Sequence, residues 1–164
     1  MLIQNYGLFW QRSEIEWGAG SRRGHLNGYY AYGKWEGEVD FRHQRGIYAL
    51  YDATFKLIYV GQAGNGNACL FDRLKHHSRT RLSQRWSQFS WFGILGLHEA
   101  DGGWVLDEEP ANSFTPNAIL DHLEGILIAA AEPPLNRQGS RFGSQCYLYN
   151  QVMRSPDPLR RQPN

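Results

Sequence analysis

Cysteine is scarce and unpatterned in this chain. Cys69 and Cys146 stand far apart with no companion, which excludes a disulfide-dense scaffold, a cysteine zinc site and a CxxC redox centre. Two free thiols in a cytoplasmic protein is the reading that remains. Long apolar runs are missing too: the longest, Ile126 to Ala131, falls far short of the 18 or so residues a membrane-spanning helix needs. Polar residues run through Met1 to Glu16, so no secretion signal is expected there. Net charge is nearly absent, at +1, and bulk charge therefore does not mark a nucleic-acid binder. No internal repeat and no long low-complexity segment is present.

What is there is globular. Hydrophobic residues make up 41% and charged residues 20% of 164 residues, enough for one domain with a core and short for two. The charges are unevenly spread. Arg73, Lys75, His76, His77, Arg79, Arg81 and Arg85 follow one another with no acid between them. Glu99, Asp101, Asp107, Glu108 and Glu109 follow with no base. A local cationic strip suits a phosphate backbone; it equally suits a solvated helix face.

Residues 1–43 are rich in tyrosine, tryptophan, glycine and arginine and read as short strands and turns, an aromatic extension. Gly46 to Tyr51 and Leu57 to Gly61 predict an antiparallel hairpin around a turn at Asp52 to Lys56. A loop from Gln62 to Asn67 leads to a helix over about 68–78, with Leu70, Phe71 and Leu74 as its apolar stripe. A second short helix is expected over 82–89, a third strand over 91–95 and an acidic loop over 98–113. The last helix is the best marked. Thr115 is placed to cap it, Pro116 to start it and Pro133 and Pro134 to stop it. Ile119, Leu123, Ile126, Leu127 and Ala130 predict its apolar face. The fold class expected is α+β: a three-stranded antiparallel sheet with helices packed on it, plus the N-terminal extension. The domain reading is 1–43 extension, 44–150 main domain and 151–164 flexible tail, the last holding three prolines and three arginines.

Three positions bear chemistry on physical grounds. Glu124 neighbours Leu120, Leu127 and Ile128 on a helical surface, which predicts a carboxylate off the solvent face that needs a cation, a partner or a raised pKa. A buried Arg–Glu pair would satisfy it as well as a metal. Arg73 and His77 lie four apart and share a helix face bordering Leu70 and Leu74. A guanidinium fork there suits phosphate oxygens, although most helical arginines are simply solvated or salt-bridged. Tyr48 and Tyr59 are hairpin tyrosines, ordinarily packing residues.

Taken together these positions resemble the GIY-YIG nuclease family. Gly46-Ile47-Tyr48 is followed after ten residues by Tyr59-Val60-Gly61. An arginine follows on the first helix (Arg73), a glutamate on a later helix (Glu124) and an asparagine twelve residues beyond it (Asn136). The resemblance covers about residues 46–137. Many members carry a lysine directly after the second motif, where this chain has Gln62, and His77 is the candidate substitute. The resemblance implies DNA as partner and substrate. It also implies one Mg²⁺ or Mn²⁺ ion bound by Glu124, a hard cation content with one carboxylate, phosphate oxygens and water.

Arg73 would then brace the transition state, Tyr48 would be the general base and Tyr59 would orient the water or the phosphate. A tyrosine base needs help, because only about one in a thousand is ionised at neutral pH; the metal, Arg73 and His77 are each expected to favour the anion. Asn136 would position phosphate or the metal-bearing helix, and Lys75, Arg79, Arg81 and Arg85 would meet the backbone. Aromatics in residues 1–43, interleaved with Arg12, Arg22, Arg23 and Lys34, could touch nucleic acid or could extend the core. A non-cleaving nucleic-acid-binding module and a protein-interaction domain are the rival readings. A double-strand cut from one such site would need a dimer or two events.

Overall fold

A computed structural model describes residues 2–32, 37–64, 66, 68–110, 115–134, 142 and 146–154. The hairpin is where the sequence puts it. β4 (Gly46–Tyr51) and β5 (Leu57–Ala63) pair antiparallel, with Tyr48 opposite Gly61 and Leu50 opposite Tyr59. Asp52 closes the turn: its Oδ1 accepts from the Thr54 and Lys56 amides at 2.8 and 3.1 Å. Gly46 has φ +146°, and a Cβ there would run into the Phe92 carbonyl. Gly46→Ala is accordingly expected to lower stability by about 1–3 kcal/mol. A urea unfolding midpoint equal to that of the unaltered chain would show that the strand pair can give way instead.

The sheet is larger than three strands. β1 (Asn5–Gln11), β2 (Asn27–Tyr30) and β3 (Val39–Asp40) come from the N-terminal segment, β6 (Gln88–Gly93) from the middle and β9 (Tyr147–Gln151) from near the end. The seven run in the order β3-β2-β9-β1-β6-β4-β5. The β1–β9 pair is parallel and the other pairs are antiparallel, so the sheet is mixed. The expected three-stranded antiparallel sheet is thus corrected: β4, β5 and β6 form one side of it, β1, β2 and β3 come from the segment that read as short strands and turns outside the sheet, and β9 from the tail that read as irregular. Phe9, at φ +51°, bulges β1 between Gly7 and Trp10, which breaks the alternation by which a strand is recognised.

Two further expectations fail. Residues 82–89 form turns that run into β6, not a helix. The acidic segment is a separate two-stranded hairpin, β7 (Leu97–Ala100) with β8 (Gly103–Leu106). Two helices are described, α1 (Leu70–His77) and α2 (Pro116–Ala131). Thr115 Oγ1 accepts from the Ala118 amide at 3.2 Å and Pro116 opens α2, as expected. No described helix is long and apolar enough to cross a membrane.

Strand alternation sends residues to two layers. Tyr48 and Leu50 of β4, with Phe89 and Trp91 of β6, pack with Trp10, Phe41 and the α1 residues Leu70, Phe71 and Leu74. The N-terminal aromatics Trp10 and Phe41 therefore belong to the core, while Tyr29 and Tyr32 are exposed. Each ring buried in this way contributes about 1.5–3 kcal/mol relative to exposure. On the other face, Ala49, Tyr51 and Phe92 pack with Ala129, Ala130 and Phe142, and the Tyr51 hydroxyl donates to the Ala130 carbonyl at 2.7 Å. α1 and α2 thus cover opposite faces of β4.

The face α2 buries is only partly the one expected: Ala130 is buried and Ile126 packs against the core, but Ile119, Leu123 and Leu127 are not buried. His122, Gly125, Ala129 and Ala130 are buried, whereas Ile119, Leu120, Leu123 and Leu127 are 37–67% exposed. Small residues let the helix lie close to the sheet: a Cβ on Gly125 would press into the Phe142 ring. His122 is held neutral by burial, its pKa lowered, and its Nδ1 accepts from the Ile3 amide at 3.4 Å.

Candidate active site

α1 is tied to the chain just before β4. The amides of Leu70 and Phe71 donate to the carbonyls of Gln44 and Arg42 at 2.9 and 3.1 Å, and Asp72 takes the Cys69 amide at 3.2 Å. The first turn is thereby satisfied within the chain. These bonds lay α1 across the face of β4 and β5 that carries Tyr48 and Tyr59. The C-terminal end is pinned by Trp86, whose indole N–H donates to the His77 carbonyl at 3.5 Å.

The consequence is a cluster of four of the sequence-predicted residues. Tyr48 Oη lies 2.8 Å from His77 Nε2. The Tyr59 ring is 4.7 Å from the His77 ring and 6.1 Å from the Tyr48 ring. Arg73, one turn before His77, donates from Nε to the Gln62 carbonyl at 3.1 Å, which aims the guanidinium along the edge strand β5. Its other N–H groups have no partner among the described residues. Gly61 is opposite Tyr48, and a Cβ on it would strike the Tyr48 hydroxyl. The glycine of the second motif is therefore a clearance for the first motif's tyrosine. Gln62 pairs with Ile47 and alternates to the other face from Tyr59 and Gly61. Its backbone serves the cluster, and its side chain points to the other face.

Burial grades the cluster. Tyr48 is 1% exposed and His77 8%, while Tyr59 and Arg73 are half-buried. Burial pushes the Tyr48 phenol well above its ordinary pKa, the adjacent Tyr59 adds to this, and Arg73 opposes it without prevailing. Without a metal ion, desolvation outweighs the one guanidinium. His77 is pushed below its ordinary 6.5, first by burial and then by His76 and Arg73. At neutral pH the pair is therefore phenol and neutral imidazole, an acid and a vacant lone pair in hydrogen-bond contact.

Glu124 stands apart. It lies on α2, on the layer opposite Tyr48, and its side chain is exposed. It forms no hydrogen bond or ion pair with the described residues. The expected burial among aliphatics is corrected, because Leu120 and Leu127 beside it are themselves 64% and 67% exposed. No group of three or more possible metal ligands occurs among the described residues. A single open carboxylate with no competing cation still meets the donor chemistry of a hard ion that takes its remaining ligands from water and phosphate.

Asn136 lies outside the described residues. In the cationic strip, Arg79, Arg81 and Arg85 are exposed on the turns between α1 and β6, and Lys75 lies with its ammonium 5.5 Å from the Phe71 ring. None of the four makes an ion pair with a described residue. A cleft of about 710 Å³ lies elsewhere, between the β7–β8 hairpin and the segment from Asp40 to Arg45, at the N-terminal end of α1. Spacing could not have revealed it, since it depends on the acidic segment folding back as a hairpin.

No protein-family model, curated protein or solved structure matches the chain.

Proposed function

We propose that the chain is a metal-dependent endonuclease of the GIY-YIG type that hydrolyses phosphodiester bonds in DNA. The observation that carries this reading is the 2.8 Å contact between Tyr48 Oη and His77 Nε2, with Tyr59 and Arg73 converging on it at an exposed sheet edge. A buried phenol joined to a buried neutral imidazole can serve as a proton path.

The step assigned to it is in-line attack of water on the scissile phosphorus. The water gives its proton to Tyr48 Oη as the phenol proton passes to His77 Nε2, leaving imidazolium. The new P–O bond forms as the P–O bond to the leaving oxygen breaks. Tyr59, nearer solvent, orients the water, and Arg73 offers its unpartnered N–H groups to the oxygens that gain charge. The resemblance gives a Mg²⁺ or Mn²⁺ ion to Glu124, which lies on the layer opposite Tyr48; an ion held there would supply Lewis-acid polarisation of a phosphate, and the proton steps above do not pass through it.

Cleavage of supercoiled plasmid with Mg²⁺, and with chelator in its place, tests the reading; intact plasmid under both conditions rejects it. Arg73→Ala is expected to lower single-turnover rate by about 10²–10³ while weakening DNA affinity much less. Loss of affinity with an unchanged rate on bound DNA would make Arg73 a backbone contact only. A non-cleaving binding module on the same residues would retain salt-sensitive DNA binding through Arg79, Arg81 and Arg85 and would leave the plasmid whole.

A further inference from the structure

The cleft at the start of α1 has two unlike walls. Asp40, Arg42, His43 and Arg45 line one side, and Asp107, Glu108 and Glu109 line the other. Several of these charges are already answered within the chain. Asp40 lies 3.4 Å from Arg42, and His98 holds Asp107 at 2.8 Å. Arg45 reaches across to Glu109 at 3.7 Å, but both side chains are well exposed, so the pair is weak and exchangeable. Glu108 forms no hydrogen bond or ion pair with the described residues. The cleft thus offers a guanidinium loosely held by Glu109 and, next in the chain, a Glu108 carboxylate with no partner among the described residues, with Leu95 and Trp104 also in the lining.

A ligand that fits must carry an anion at one end and hydrogen-bond donors at the other. A nucleotide does, with its phosphate on Arg45 and a base edge whose amino group donates to Glu108. The volume lies within the range of small-ligand sites. Position selects a nucleotide over other amphoteric ligands. Cys69 lines the cleft and caps α1, Arg73 follows one turn on and His77 one turn further. From Cys69 to His77 the helix rises about 12 Å, or about three to four base steps of a strand.

The geometry points to a nucleotide subsite: the cleft holds one nucleotide of the strand being cut, a few positions from the scissile phosphate. Arg45 takes its phosphate, and Glu108 selects bases that carry an exocyclic amino group. The inference rests on the nuclease reading and extends it to substrate preference. Carboxylates accept from cytosine N4 in this way, whereas thymine has no amino group to offer.

The test is binding of fluorescent deoxycytidine and deoxythymidine decamers at fixed low salt, with chelator present so that nothing is cut. The cytidine strand is expected to bind about fivefold more tightly. Glu108→Gln should bring the ratio close to one. Arg45→Ala should weaken both strands alike. Both side chains are exposed, and an unchanged melting temperature for each variant checks the fold. Equal affinity of the unaltered protein for the two strands overturns the proposal. So does a ratio that survives Glu108→Gln, free deoxycytidine monophosphate binding as tightly as the decamer, or a lysine-rich peptide binding where the decamers do not. Plasmid cleavage in Mg²⁺, run in parallel, separates the two readings. The expected binding pattern without cutting rejects the nuclease and keeps the subsite; cutting without the pattern does the reverse.

Discussion

Tyr48→Phe and His77→Ala are each expected to slow single-turnover cleavage on the order of 10²–10⁴, the usual scale for loss of a general base, and the double variant is expected to be no slower than either alone. Both changes cut the same path. Tyr48→Phe keeps the ring in its buried place and removes only the oxygen that meets His77 Nε2. Residues that act as one unit lose their effect together, so the non-additivity is the signature.

The pH profile carries the second half of this expectation. His77 has its pKa pushed below 6.5, so the lone pair that must receive the proton is present throughout the neutral range. The rate should fall only on the acid side, with a midpoint below 6.5, as imidazolium forms. It should stay flat from neutral pH up to about 9, because the Tyr48 phenol lies far above that range. Both variants should lose the acid limb. Tyr59→Phe should cost less and keep it. If Tyr59→Phe is the inactive enzyme while Tyr48→Phe retains the limb, the two tyrosines have exchanged roles. A rate that climbs tenfold per pH unit into the alkaline range would mean that free phenolate is the base and His77 a bystander.

Glu124→Gln is expected to lower cleavage by about a thousandfold or more, equivalent to several kcal/mol of lost metal-supplied stabilisation. Its unfolding midpoint should not move, since the carboxylate is exposed and bonds to no described residue. Mn²⁺ binding, followed by the paramagnetic signal of the free ion, should weaken in the same variant. A full-rate Glu124→Gln enzyme would remove Glu124 from the metal assignment and leave the Tyr48–His77 assignment standing.

Local features of this chain were legible and non-local ones were not. The β4–β5 hairpin and the N-terminal end of α2 are set by neighbours within a few residues: Asp52 in its turn, Thr115 and Pro116 at α2. The buried face of α2 could not be read from periodicity. Ile119, Leu120, Leu123, Ile126, Leu127 and Ile128 gather the large apolar residues on about one half of it, whereas the buried face belongs to Gly125, Ala129 and Ala130, which carry little hydrophobic signal. β1 was obscured by its bulge at Phe9 and β9 by its brevity, so four of the seven strands were not counted in the sheet. In the site, the four-residue spacing of Arg73 and His77 was visible on the helix. Their approach to Tyr48 depends on how Gln44 and Arg42 anchor α1, and neither residue had any reason to stand out. The raised pKa of Tyr48 follows from the same packing: charge partners can be guessed from a motif, whereas depth of burial cannot.

The position of β9 has a consequence for how the chain comes together. β9 lies between β1 and β2, and Gln11 and Gln151, 140 positions apart, exchange bonds through the Gln151 side chain. The sheet therefore cannot close during synthesis until residue 151 has emerged. Until then β1 and β2 present unpaired edges, one on each side of the gap. Ordering so long a loop is a cost that falls due before the ladder repays it, which slows folding relative to a hairpin-built sheet. During that wait the open edges of β1 and β2 are available to other chains, so the protein is most exposed to aggregation just before its last strand arrives.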